Sequence, residues 1–95
     1  MEFEWDPDKD RENQRKHGLS FEEASTLFTG EDDYLELYDD YHSEDEERFI
    51  AIGVIIRGVV VVVWTEPSDR VIRIISARPA TQREKRTFQR YRDQA

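Results

Sequence analysis

The chain has no cysteine, only two histidines, four scattered glycines and no apolar run long enough to span a bilayer. Without cysteine there is no disulfide and no thiolate chemistry, a composition compatible with a reducing compartment. His17 and His42 supply neither a metal-ligand cluster nor a plausible Ser/His/Asp set, and the glycines form no phosphate-cradling loop. The most apolar stretch, FIAIGVIIRGVVVVVW at 49–64, falls short of the roughly 20 residues of a membrane helix and is split by Arg57-Gly58. The opening MEFEWDPDKD lacks a basic segment followed by an apolar one, so no signal peptide is expected. The chain therefore reads as a soluble cytoplasmic protein with no membrane partner. Its 95 residues suffice for one domain, 1–95, around a single modest core.

What is present is charge, unevenly placed. The net charge is -8, yet residues 1–69 carry -14 and residues 70–95 carry +6. Such a split suits a polyanion-facing end on a body that faces solvent or a basic partner; solubility alone is the plainer explanation. Acidic runs at Glu31-Asp32-Asp33 and Glu44-Asp45-Glu46-Glu47 offer oxygen ligands for Mg²⁺, but runs of this kind are ordinarily solvated loops. No metal and no cofactor are expected.

The chain punctuates itself clearly. EFEW at 2–5 reads as a short strand, and Asp6-Pro7 starts a helix that ends at Gly18, with Asp as N-cap and Pro in the first turn. Ser20 and Glu23 form a capping box for a second helix burying Phe21, Ala24, Leu27 and Phe28 up to Gly30. DDYLELYDDY at 32–41 reads as an edge strand, with charge that discourages aggregation. FIAIGVII and VVVVVW read as central strands of a hairpin turning at Arg57-Gly58. EPSD at 66–69 reads as a turn, RVIRIISA at 70–77 as the last strand, and Thr81/Glu84 as a second capping box opening a helix to about Arg92. The order β-α-α-β-β-β-β-α implies an α+β fold, an antiparallel meander with the terminal helices on one of its faces.

With other chemistry excluded, arginine remains. Strict alternation along the last strand sends Ile72, Ile74, Ser76 and Arg78 to one face and Arg73 to the other. Arg78 then stands where the strand ends and the final helix begins. Helical spacing gathers Arg83, Arg86 and Arg90 on one stripe and Lys85 and Arg92 on another, while Phe88 and Tyr91 face the sheet. An arginine fork beside a helix N-terminus and several cations suits a phosphate. The alternative for Arg78 is a structural ion pair with an acid from the preceding loops, and for the helix cations a solvated face.

Three blocks carry a family resemblance: WDPDKDRENQRKHGLSFEEA at 5–24, HSEDEERFIAIG at 42–53, and RIISARPATQREKRTF at 73–88, with VVVVVWTE between the last two. They resemble the BrnT family of bacterial type II toxins, with Trp64 and Pro67 where members often carry Tyr and Arg. The resemblance implies a RelE-like fold and a ribonuclease that slows translation. It also implies a hetero-oligomer with a BrnA-type antitoxin that carries a ribbon-helix-helix DNA-binding part. The family's motif residues fall on Lys16, His17, Arg48, Ser76, Arg78 and Glu84.

Because RNA brings its own nucleophile, the 2′-hydroxyl, no metal or enzyme nucleophile is needed. On this reading Arg78 stabilises charge, helped by Arg48, while Glu84 and His17 are candidates for general base and acid. Lys16, Arg73, Arg83, Lys85 and Arg86 are candidates for RNA binding. His17 equally suits a simple cap on its helix dipole, and Trp64 is either a base-stacking face or core. Two other classes compete: a non-catalytic or attenuated toxin acting as corepressor with its antitoxin, and a translation inhibitor that occupies the ribosome without cutting. An acidic surface beside apolar edges suits a partner that brings basic and apolar groups by strand or helix addition.

Overall fold

A computed structural model describes residues 1–94 as a five-stranded mixed sheet with three α-helices. The elements are β1 (Glu2–Glu4), α1 (Pro7–His17), α2 (Phe21–Thr29), β2 (Leu35–Tyr38), a 3₁₀ turn (Asp40–His42), β3 (Phe49–Ile55), β4 (Gly58–Ser68), β5 (Val71–Pro79) and α3 (Gln82–Asp93). The helix boundaries follow their caps. The Asp6 carboxylate accepts from the Asp8 amide at 2.8 Å, Gly18 closes α1 with a φ of 65°, and both capping boxes are formed.

The sheet order is β1-β5-β4-β3-β2, so β2 is an edge strand, as its charges suggest. The last four strands form the expected antiparallel meander; β1 pairs parallel with β5 and makes the sheet mixed. Three local readings shift. The β2 strand is only four residues long, because the chain turns at Asp40. The hairpin turn falls on Ile56-Arg57, with Ile55 paired to Gly58. Residues 66–68 extend β4, and the turn into β5 lies at Asp69-Arg70, where Arg70 takes a φ of 64°.

The helices do not share a face. Leu19 and α2's Phe21, Ala24 and Leu27 pack with Ala51, Val62, Trp64, Ile74 and Ala77 on one side. Phe88 of α3 packs with Ile52 and Val61 on the other. Consecutive side chains on these apolar strands alternate sides, so both faces need cover, and one helix layer cannot supply both. Gly53 permits the close approach of α2: a Cβ there would lie 2.5 Å from Leu27 Cδ1 and 2.9 Å from Tyr34 Cβ.

Candidate active site

A bulge decides which way the last strand points its chemistry. Val63 pairs with Ser76, but Trp64 pairs with Ile74, leaving Ile75 as an extra residue. Strict alternation would put Ser76 and Arg78 beside Ile72 and Ile74. The bulge flips the parity, so Ile72, Ile74 and Ala77 enter the α1/α2 core while Ser76 and Arg78 face α3. They line a groove of about 380 Å³ with a floor of Leu37, Ile50, Ile52, Val61 and Val63, walled by Arg83, Glu84 and Thr87 of α3.

At its end lies a charged corner. Arg78 Nη1 and Nη2 donate to Glu84 Oε1 and Oε2, both at 2.7 Å, an end-on fork. Glu84 Oε1 also accepts from the Thr81 amide at 2.9 Å, and the Glu84 amide donates to Thr81 Oγ1 at 3.1 Å. One carboxylate therefore caps α3 and aims Arg78. The ion-pair alternative for Arg78 is correct as geometry, but its partner comes from the helix that follows. The fork uses one edge of the guanidinium. The Nε–H and the outer Nη2 hydrogen remain on the second edge, a geometry suited to two phosphate oxygens.

The Arg78 fork holds the Glu84 carboxyl far down, at about 2, against a smaller opposing effect of burial and with help from the Thr81 amide. Arg78 is raised in turn by the same contact. A carboxylate so depressed stays ionised at neutral pH and is a weak proton acceptor. The same shift gives a stability prediction. Glu84 is lowered in the folded state from 4.5, so its contribution is present above that value and drains away as pH falls towards about 2. Thermal melts should therefore show a shallower loss of Tm for Glu84→Gln than for the wild type between about pH 5 and pH 2. Parallel slopes would mean that the fork does not stabilise the fold.

The remaining candidates are dispersed. Lys16 and His17 are exposed at the end of α1, in the layer across the sheet from Arg78, and Lys16 lies 3.6 Å from Glu12. Arg73 is tied to Glu4 at 2.7 Å and fastens β1 to β5. Arg48 precedes β3, two strands from the β5 strand of Ser76, and adjoins the acidic loop of Glu44, Asp45 and Glu46. Its Nε is buried and makes no hydrogen bond among the described residues. Arg83 lines the groove and also borders Arg86 and Arg90, so these three form an exposed cationic stripe; Lys85 is exposed apart from it. Trp64 is 3% exposed in the core, where Phe28 and Phe49 pack against it, and offers no face to a base.

One residue escaped sequence reasoning. Asn13 is buried; its Nδ2 donates to the Leu19 carbonyl at 2.8 Å and its Oδ1 accepts from the Ala77 amide at 3.2 Å. It fixes α1 to β5 at the residue before Arg78. Its only signal was a polar residue one helical turn from Asp10, which itself accepts from the Phe21 amide at 2.8 Å.

A family model described as "Ribonuclease toxin, BrnT, of type II toxin-antitoxin system" matches residues 5–84. The match includes Arg78 and Glu84 and ends before the outer α3 cations. Among solved structures, the 1.1 Å crystal structure of the Brucella abortus ribonuclease toxin BrnT is similar with a TM-score of 0.64. The two chains are 25% identical over 86% of this chain and 99% of that one. No curated protein sequence matches.

Proposed function

The chain belongs to the BrnT family of ribonuclease toxins of type II toxin-antitoxin systems, and on that premise we propose that it cuts RNA at the Arg78 corner without a metal ion and is neutralised by a BrnA-type, ribbon-helix-helix antitoxin. The observation that carries the site is the Arg78–Glu84 fork, which leaves the second guanidinium edge for a phosphate at the mouth of a groove. In the reaction the 2′-hydroxyl gives up its proton to solvent as its oxygen bonds to the adjacent phosphorus, the P–O5′ bond breaks, and the 5′-oxygen leaves with a proton taken from solvent. The product ends are a 2′,3′-cyclic phosphate and a 5′-hydroxyl. Arg78 grips the non-bridging oxygens as negative charge accumulates on the phosphorane, and Arg83 adds to the local field. Glu84 acts by orienting Arg78 rather than by moving protons. Ser76 lines the same groove as Arg78, within reach of an RNA backbone held there. Lys85, Arg86 and Arg90 contribute a diffuse attraction for the RNA backbone.

The test is incubation of the purified chain with single-stranded RNA in excess EDTA. Cleavage should persist, yield cyclic-phosphate ends, and stop at any nucleotide whose 2′-hydroxyl is replaced by hydrogen. Loss of activity in EDTA would overturn the metal-independent route. An absence of cleavage, with growth still arrested by the chain, would favour the ribosome-occupying alternative.

A further inference from the structure

We propose that the free edge of β2, with the turn that follows it, is the surface on which the antitoxin docks, and that the docking segment is an extended strand carrying aliphatic and Lys/Arg side chains; this rests on the toxin-antitoxin reading above. Among the described residues the large apolar side chains most exposed are Met1, Leu37, Tyr38, Tyr41 and Ile56. Three of those five fall within residues 37–41, at 42%, 47% and 90% exposure. Single exposed apolar side chains are ordinary, but a cluster on one edge strand marks a contact surface.

Leu37 lies over the groove floor beside Ile50, whereas Tyr38 packs edge-on to Phe49 on the opposite face. Both sides of the edge therefore offer an anchor. β2 ends the strand order, so its outward backbone groups have no strand partner among the described residues, which is the requirement for strand addition.

Charge selects the occupant. Glu36, Asp39, Asp40 and the four acids of 44–47 lie on this edge and in the turn and loop that follow it, against a single cation, Arg48, between residues 34 and 56. That field repels an RNA backbone and attracts a basic segment. Edge acids alone are a common device against self-pairing, but that role leaves the three exposed apolar side chains unexplained. The edge stands three strands from Arg78, about 14 Å at the usual strand spacing, so it lies at the far side of the groove from the phosphate corner, and only Leu37 reaches onto the groove floor.

The experiment measures the affinity of the purified toxin for its BrnA-type antitoxin, with wild type and a Tyr38→Lys/Tyr41→Lys pair, neither of which lines the Arg78 groove, alongside RNA cleavage by the free toxin. Both positions are exposed, and melting curves check the fold. The pair should weaken antitoxin binding by about tenfold or more, with cleavage within about twofold of wild type. Hydrogen exchange on the wild-type complex should protect the amides of residues 35–38, a readout independent of any variant.

Unchanged affinity, no protection, or no binding by the wild type overturns the proposal. Reduced cleavage with unchanged antitoxin affinity would assign the edge to RNA, and a wild-type toxin dimer dissolved by the substitutions would assign it to a second copy; either overturns it. Because binding is read directly, a chain that takes antitoxin here but cuts no RNA sinks only the nuclease reading.

Discussion

Arg78→Lys is expected to lower kcat for RNA cleavage by on the order of a hundredfold, equivalent to about 2.7 kcal/mol of lost transition-state stabilisation. The substitution keeps the charge. It removes the planar group that can hold Glu84 by one edge and a phosphate by the other. A lysine ammonium drawn to Glu84 turns most of its donors away from the groove, and nothing else in the corner is fixed well enough to replace it. The loss should fall on kcat more than on KM, because charge builds on the phosphorane while the outer α3 cations still attract the RNA. His17→Ala and Arg90→Ala should each stay within about twofold of wild type, as His17 is exposed in the layer across the sheet and Arg90 is exposed and does not line the groove of Arg78. The assay must be paired with circular dichroism, since Arg78 also anchors the capping box of α3. A folded Arg78→Lys variant with full activity would remove Arg78 from the reaction. A collapse of His17→Ala instead would move the chemistry to the α1 layer.

The sequence announced its helix ends because caps are local chemistry. Asp6-Pro7, Ser20/Glu23 and Thr81/Glu84 each satisfy amides within one turn, and each cap is formed. The long β-branched runs likewise fix two central strands, and the acidic run near residue 36 marks an edge. What escaped depends on non-local partners. The bulge at Ile75 exists because β4 and β5 pair with unequal steps, and no property of residues 70–79 alone reveals it. Without it the period-2 reading sends Ser76 and Arg78 into the α1/α2 core.

The face taken by α3 was equally hidden, because its apolar stripe of Phe88 and Tyr91 fits either side of a sheet that is apolar on both. The corner itself was half legible. Arg78 and Glu84 were both candidates, but their bidentate contact, which holds the Glu84 carboxyl at about 2, was not foreseen; in the proposed reaction it makes Glu84 a positioning group rather than a proton carrier. Arg48 and Arg73 share the same charge, but Arg48 lies beside the acidic loop before β3 and Arg73 is tied to Glu4.

Asn13→Ala is expected to cost about 2–4 kcal/mol, the combined penalty of leaving the Leu19 carbonyl and the Ala77 amide without partners in the interior. In a domain of this size that is a fall in Tm of about 10–25 °C. The effect exceeds that of a surface cap because the side chain joins three segments at once: α1, the turn before α2, and β5. It should also reach the active corner, since Ala77 immediately precedes Arg78, so cleavage is expected to drop even where the variant remains folded. Asn13→Asp separates hydrogen bonding from volume. An ionised carboxylate at this position can accept from the Ala77 amide but cannot donate to the Leu19 carbonyl, and it buries a charge. A protonated one can do both. The pKa of the introduced carboxyl would be raised in the folded state, so its stabilising form is present at low pH and lost as pH rises. Melts of Asn13→Asp should therefore improve relative to wild type as pH falls from about 7 to about 4, opposite in sign to the Glu84 contribution. An Asn13→Ala variant melting within a few degrees of wild type, or an Asn13→Asp variant with no pH response, would show that water replaces both bonds and that α1 is held to β5 by apolar contact alone.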